Sequence, residues 1–272
     1  MLSILLSWAL SSGAFCQNNW QPIAPGLDRP IRAIYNDTTD NLLYIGGPFS
    51  TIDGNYIRGI ARWNGTQWDS LQGGIDAMDT LNNAPNNTFA FCRYGNYLYV
   101  GGAFNSVDGF YSQGIARWDG NNWDSIACCP NSSIYEMVVF NNELFVVGRF
   151  DSIAGIPAYG IAKWNDTIWS DAFNFPQFTY FSAIFAIEIY NNELYICGAF
   201  RNNFNDPEQN IMRWDGNAWK PVGNGIRGGG FVGAFDLVVY QNELYVGGIF
   251  FKSNGNAGNY IQKWNGSTWS EV

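Results

Sequence analysis

Short apolar runs alternate with Gly-, Asn- and Asp-rich breaks along nearly the whole chain, and the alternation repeats. Apolar segments "LYIGGPF", "LYVGGAF", "LFVVGRF", "LYICGAF" and "LYVGGIF" end at Phe49, Phe104, Phe150, Phe200 and Phe250, 46–55 residues apart. Each Phe stands 14 residues before a Trp (Trp63, Trp118, Trp164, Trp214, Trp264), and a second Trp follows five later (Trp68, Trp123, Trp169, Trp219, Trp269). Upstream of each apolar segment sits another, ending in a polar turn such as Asn191-Asn192. The unit therefore predicts four short strands: A ("VVFNNE" type), B ("LYVGGxF"), C ("GIARW") and D, which begins at the second Trp. Asn-Gly or Asp-Gly between C and D is a strong hairpin signal. No long stretch of the mature chain follows the 3.6-residue period of a helix.

A C–D hairpin of suitable loop length places both Trp of W-x4-W on one sheet face. Ala61, Ala116 and Ala162, two before the first Trp, leave room for an indole from the neighbouring strand. An aromatic slab of this kind must be covered, and stacking similar sheets around an axis covers every slab in the same way. The double glycine of strand B suits a close approach by the neighbouring sheet. Because Val147-Gly148 and Cys197-Gly198 keep only the second Gly, that one is the stricter requirement. A period of this length is that of a propeller blade. The expectation is an all-β fold, a β-propeller of five blades with four antiparallel strands each, occupying residues 17–272 as a single domain.

At this point the residues resemble the kelch family of β-propellers: an apolar run, a double glycine, then two spaced aromatics, here "LYVGG", Trp118 and Trp123. The form "LYVGGxF…GIARWDGxxW" is similar to repeats of secreted bacterial surface proteins and of fungal cortical polarity-marker proteins. The resemblance covers nearly all of residues 20–272 and implies a fold far more than an activity. It also resembles the propeller of galactose oxidase, but the copper-binding histidines have no counterpart. Trp20 in "NNWQPI" reads as a sixth strand D. Either it caps one edge of a closed ring or the chain is a piece of a larger one.

Composition narrows the chemistry. The chain has no His, which removes Ser-His-Asp and Cys-His catalysis and His-ligated metals. A net charge of −9 argues against nucleic acid and anionic membranes. No stretch beyond the leader reaches the ~20 apolar residues of a membrane helix. Residues 1–16, "MLSILLSWALSSGAFC", read as a signal peptide, which places the protein outside the cell, secreted or at the surface. Lipid on Cys16 is a less fitting alternative, since Phe15 stands where a small residue is wanted. In an exported chain Cys92, Cys128, Cys129 and Cys197 either pair, with three possible connectivities, or remain buried free thiols. No Cys-x-x-Cys spacing supports a metal, and no cofactor is expected. Six Asn-x-Ser/Thr sequons (Asn36, Asn64, Asn86, Asn131, Asn165, Asn265) matter only in a eukaryotic source.

Three sets of residues invite a functional reading. A basic residue precedes the first Trp in every unit (Arg62, Arg117, Lys163, Arg213, Lys263), and a residue present in all units serves the blade, its stem on an indole and its head on a carboxylate such as Glu143, Glu193 or Glu243. Strand A lines the central channel in kelch-type propellers. Aligned on Tyr35, Tyr94, Phe140, Tyr190 and Tyr240, Glu136 and Asp236 lie four residues before the mark and Glu188 two before. They form either a polar channel or the acid and base of a glycosidase. The entry loops before strand A carry Phe173, Phe175, Phe178, Tyr180, Phe181 and Phe231, which either stack on a sugar ligand or belong to the core. Residues 75–91 form the longest entry loop. The Gly-rich 223–231 lacks the Lys-Ser/Thr and helix of a phosphate loop. The leading expectation is a non-catalytic propeller binding a protein or glycan through its rim loops. The alternative is a carboxylate-dependent glycoside hydrolase or lyase using Glu136, Glu188 and Asp236.

Overall fold

The computed structural model describes residues 26–76, 78–79, 84–85, 87–126, 129–203, 206–227 and 233–272. Residues 1–16, Trp20, Asn86, Cys128 and Phe231 lie outside them. The fold is an all-β propeller. Its blades are four-stranded antiparallel sheets in sequence order A-B-C-D, five of them among the described residues. Strand A spans Ala33–Asp37, Asn87–Tyr94, Ile134–Phe140, Tyr180–Tyr190 and Gly233–Tyr240 in blades 1 to 5. Strand B spans Leu42–Gly46, Tyr97–Ala103, Glu143–Gly148, Glu193–Arg201 and Glu243–Ile249. Strand C ends at the first Trp and strand D begins at the second, as in Ile115–Trp118 and Trp123–Asp124.

The turns follow from residue type. Asn141-Asn142, Asn191-Asn192 and Gln241-Asn242 take positive φ at both positions, the two-residue turn that matches strand twist. After the first Trp, the side chain of Asn64, Asp119, Asn165, Asp215 or Asn265 accepts two backbone N–H bonds and closes the C–D loop. The two Trp then pair directly across the hairpin, Trp118 with Trp123 for example, with ring centroids 5.1–5.9 Å apart in the five blades. Ala61, Ala116 and Ala162 are buried in the same clusters as these indoles.

A feature missed from the sequence lies between strands B and C. Small hairpins occupy Thr51–Ile52 with Asn55–Tyr56, Ser106–Val107 with Phe110–Tyr111, and Ser152–Ile153 with Ile156–Pro157. Their turns, Asp53-Gly54, Asp108-Gly109 and Ala154-Gly155, have positive φ at both residues. The Asp-Gly signal was present in this link as well as in the C–D link. Strand register also corrects the alignment of blade 1. Tyr35 pairs with Tyr44, as Cys92 pairs with Tyr99, so Tyr35 matches Cys92 and not Tyr94. The A–B turn of blade 1, residues 38–41, is two residues longer than the others and causes the slip.

Each blade has a front face toward the preceding blade and a rear face toward the next. Leu98, Val100, Trp118 and Trp123 of blade 2 pack forward on Tyr44 and Ile60 of blade 1. Tyr99, Ile115 and Cys92 of the same blade pack rearward on Leu144, Val146 and Trp164 of blade 3. The two glycines of strand B serve different neighbours. A Cβ on Gly101 would lie 2.7 Å from Ile134 of the next blade, whereas one on Gly102, Gly148, Gly198 or Gly248 would lie 2.0–2.3 Å from a carbonyl oxygen in, or immediately before, strand A of its own blade. Backbone cannot yield as a side chain can, which is why the second glycine is kept in every unit.

The repeated cations meet carboxylates within or next to their own blades: Arg62 with Asp69, Arg117 with Asp124 and Asp166, Lys163 with Glu143, Arg213 with Glu193 and Lys263 with Glu243. Cys92 and Cys197 are free thiols. Burial pushes the Cys92 thiol up to about 12, so it is unreactive at neutral pH. No helix among the described residues is long and apolar enough to cross a membrane.

Candidate functional site

The inner strands bring together residues that sequence spacing only hinted at. In blades 2 to 5, strand A carries a β-bulge, between Thr88 and Ala90, Ile134 and Glu136, Ile184 and Ala186, and Ala234 and Asp236. A bulge leaves one residue without a ladder partner and turns it away from the regular face. The four bulged residues are all aromatic: Phe89, Tyr135, Phe185 and Phe235. They touch in succession, Phe89 to Tyr135 at 5.6 Å, Tyr135 to Phe185 at 5.7 Å and Phe185 to Phe235 at 5.3 Å between centroids. The matching position in blade 1, one before Ala33, is Arg32. An arc of four rings, with Arg32 on the blade 1 side of Phe89, therefore lines the channel near its entry-loop end.

Sequence reasoning selected the residues beside this arc and missed the arc itself. The signal was available: the residue before Glu136 and Asp236 is aromatic, and the same holds one residue before Ala90 and Ala186.

Glu136 and Asp236 immediately follow bulged rings and, with Arg32, Tyr35, Phe89 and Phe91, line a cavity of about 450 Å³. Glu136 is largely buried, and its Oε2 accepts a 2.6 Å hydrogen bond from the Ile187 amide of blade 4. Burial pushes its carboxyl up to about 8, against the Ile187 bond, with the charges of Asp236 and Glu188 adding to the rise. Glu188 is raised as well, chiefly by burial, and accepts from the Ile189 amide at 2.8 Å. Asp236 is exposed and accepts from the Leu237 amide at 2.9 Å. Glu136 and Glu188 thus each feel the charge of Asp236, and all three carboxylates satisfy a backbone N–H on strand A.

Of the aromatics expected in the entry loop, Tyr180 and Phe181 instead open strand A of blade 4, paired with Arg201 and Phe200 of strand B, and the others are placed differently from one another. Phe175 is buried, and Phe173 stacks on Trp214 at 4.1 Å and 8° with the Lys163 ammonium 4.6 Å from its ring. Phe178 packs on Phe200 at 4.8 Å, and Phe181 is half-buried beside them. Tyr180 is exposed, under the Arg201 guanidinium at 4.3 Å. The loop also bounds a cavity of about 400 Å³ lined by Tyr159, Asp171, Asn174, Phe175 and Gln177. Further exposed tyrosines sit in the B–C connections on this same side: Tyr56, Tyr111 and Tyr260.

No protein-family model and no curated protein matches the sequence. Among solved structures, YjhT is similar over 92% of this chain and 85% of its own, at 14% identity and a TM-score of 0.50. The computationally designed Ika8 protein is similar over 89% of this chain, at 14% identity and a TM-score of 0.47. YCF48, solved with a D1 peptide bound, is similar over 91% at 12% identity and a TM-score of 0.48. The chain spans 60% of the length of Ika8 and 67% of that of YCF48. The likeness to YjhT is one of fold.

Proposed function

We propose that this chain is a non-catalytic, kelch-like binding propeller, secreted or held at the cell surface, formed by residues 17–272 after a signal peptide at 1–16. Its ligand is a protein segment or a glycan, taken on the side of the propeller that carries the entry loops and B–C hairpins. The observation that carries this reading is the arc Phe89, Tyr135, Phe185 and Phe235, with Arg32 lining a cavity together with Phe89, Glu136 and Asp236. Aromatic rings beside a cation and carboxylates offer stacking and directional polar contacts together, the usual make-up of a recognition pocket. Tyr56, Tyr111, Tyr180 and Tyr260 add exposed amphipathic side chains around it. Phe173, Phe175, Phe178 and Phe181 support the loop from beneath, while Phe231 lies outside the described residues.

One observation favours a second reading. Glu136 is held near pH 8, and Asp236 shares its cavity, so a proton-bearing acid and an exposed carboxylate coexist. That is the pairing a glycoside hydrolase needs. Against it, Glu136, Glu188 and Asp236 each spend an oxygen on a strand-A amide.

A glycan and peptide array, with a polysaccharide hydrolysis screen beside it, separates the two. Binding without product release, weakened about tenfold or more in Phe89→Ala/Phe235→Ala and retained in Glu136→Gln/Asp236→Asn, is expected. Sugar release that disappears in the carboxylate variant would replace this function with hydrolysis.

A further inference from the structure

The loops that lead into strand A decide what covers the indole pair of each blade. In blade 4 the residue four after Trp169, Phe173, has positive φ and lies flat on Trp214, and Phe175 stands edge-on to Trp219 at 5.1 Å. In blade 2 the residue four after Trp68 is Gln72, also at positive φ, and its side-chain amide donates to the Asn121 carbonyl in the C–D link. In blade 5 the residue four after Trp219 is Gly223, again at positive φ, and the residue six after it is Gly225. A Cβ on Gly223 would lie 2.8 Å from Trp269 and 3.1 Å from Trp264, so this residue meets the indoles with backbone alone. Trp269 is half-buried where Trp123, Trp169 and Trp219 are buried.

A cavity of about 320 Å³ opens on this pair. Trp264 and Trp269 line it together with Asn224, Gln262, Ser267 and Thr268, and no charged side chain among the described residues borders it. The backbone around it is pinned. Asn256 accepts from the Arg227 amide at 2.9 Å and donates to the carbonyls of Arg227 and Phe251 at 2.7 and 3.0 Å, which ties the B–C connection of blade 5 to the entry loop. The cavity shares no residue with the axial one of Glu136 and Asp236.

Gln262 breaks the repeat at this spot. Its counterparts, two before the first Trp, are Ala61, Ala116, Ala162 and Met212, all apolar and fully buried. Gln262 is equally buried. Its Oε1 accepts from the Ala257 and Gly258 amides at 2.8 and 3.3 Å, which fixes the orientation of the carboxamide. Its Nε2 is left without a partner among the described residues. Holding the two loop amides needs only an acceptor. The buried amide nitrogen is a standing cost that a ligand oxygen would remove.

We propose that this cleft, where the entry loop meets the outer strands of blade 5, is a further binding site that takes one neutral sugar ring. The apolar face of the ring rests on the Trp264–Trp269 pair, as the loop rings Phe173 and Phe175 rest on the pair of blade 4. One of its oxygens accepts from Gln262 Nε2, and its other hydroxyls meet Asn224, Ser267 and Thr268. The uncharged walls favour a neutral ring over phosphorylated, acidic or amino sugars. A cavity at the small end of the range for ligand sites suits one ring and not an extended chain. An aromatic side chain of a partner protein would stack equally well, but it would leave the carboxamide and the hydroxyls unmet.

The test titrates the whole chain with methyl glucoside, methyl galactoside, methyl mannoside and N-acetylglucosamine, with N-acetyltyrosinamide as the aromatic comparison. The Trp269 indole N–H resonance, assigned with Trp269→Phe, is followed by NMR. At least one sugar is expected to shift it saturably with a millimolar Kd, and N-acetyltyrosinamide is not. Gln262→Ala installs the residue of blades 1 to 3, and Gln262→Glu keeps an acceptor for the two loop amides while removing the donor. Each is expected to weaken binding about tenfold, and Asn224→Ala, at an exposed position, severalfold. Phe89→Ala/Phe235→Ala, on the axis, should leave the titration unchanged. Sugars that leave the Trp269 resonance in place, or a shift that none of the Gln262 and Asn224 variants alters, would overturn the proposal. So would a titration lost in Phe89→Ala/Phe235→Ala, which would move the sugar to the axis, or saturation by N-acetyltyrosinamide alone. Failure here leaves the axial binding function standing, because these readouts report on a cavity that shares no residue with it.

Discussion

The paired substitutions Gly101→Ala and Gly247→Ala test whether the first glycine of strand B answers to its neighbour or to its own strand. Both residues occupy the same repeat position, opposite Ala90 and Asp236 respectively, and both lack the positive φ that would strain any side chain. An alanine Cβ at 101 lies 2.7 Å from Ile134 Cγ2 and 3.3 Å from both Ile134 Cβ and Met137 Cε. Ile134 is fully buried and β-branched on a bulged strand, so it must shift by about 1 Å to reach ordinary carbon contact. Overpacking of this kind costs about 1–3 kcal/mol. The loss of unfolded-chain entropy favours alanine by about 0.4–1 kcal/mol at either site and cancels in the comparison. Gly247→Ala, which meets nothing, is therefore neutral or slightly stabilising. The difference between the two is about 1–3 kcal/mol, or roughly 2–12 °C in melting temperature for a chain of this size. Differential scanning fluorimetry on the two single variants, with Gly101→Ala/Ile134→Ala as the relief variant, reads it directly. Equal losses at 101 and 247 would refute the reasoning, because the glycine would then be a requirement of strand B itself.

The second glycine gives the opposite pattern. Gly248→Ala places a Cβ 2.3 Å from the Gly233 carbonyl oxygen of its own strand A, so it should lower the melting temperature as severely as Gly148→Ala in an interior blade; a neutral Gly248→Ala would mean that strand A detaches easily in blade 5. Stability should also depend on pH through Glu136. Its folded-state pKa of about 8 lies above the ordinary carboxylate value, so the folded chain holds this proton more tightly than the unfolded one. The contribution is whole below about pH 4 and is lost as pH rises toward about 8. Glu136→Gln keeps an acceptor for the Ile187 amide and should flatten this fall in a melting-temperature profile from pH 4 to 9; an unchanged slope would assign the dependence to other groups.

Much of the architecture was legible because the junction is a repeated local problem. Two Trp five residues apart, a small residue two before the first, and an Asn or Asp just after it dictate a hairpin and its slab. The Trp pair and the Asn or Asp hold in every unit, and the small residue in three of five. The carboxylates of strand A were legible for a different reason: a charge inside an apolar run needs a partner, and the strand-A amides of Ile187, Ile189 and Leu237 are those partners. What escaped was phase. A bulge inserts one residue and inverts the period-2 alternation beyond it, so no strict alternation marks Phe89, Tyr135, Phe185 and Phe235 as facing one another. The blade 1 offset arose likewise, since a four-residue turn shifts every residue before it by two relative to a two-residue turn.

The places where the repeat changes carry more information than the places where it holds. Arg32 stands where four blades have an aromatic ring, and Glu136 and Asp236 stand where the others have alanine. None of these substitutions improves blade packing: a guanidinium and two carboxylates cost more to bury than the residues they replace. Stacking alone would be served equally well by a fifth ring and two further alanines. The cavity they share is thus built against the grain of the repeat, with the stabilising cross-blade contacts left to the indole pairs and ion pairs farther out. A scaffold that satisfies itself by repetition can tolerate such exceptions at its axis, and it is at the axis that all of its blades can reach one ligand at once.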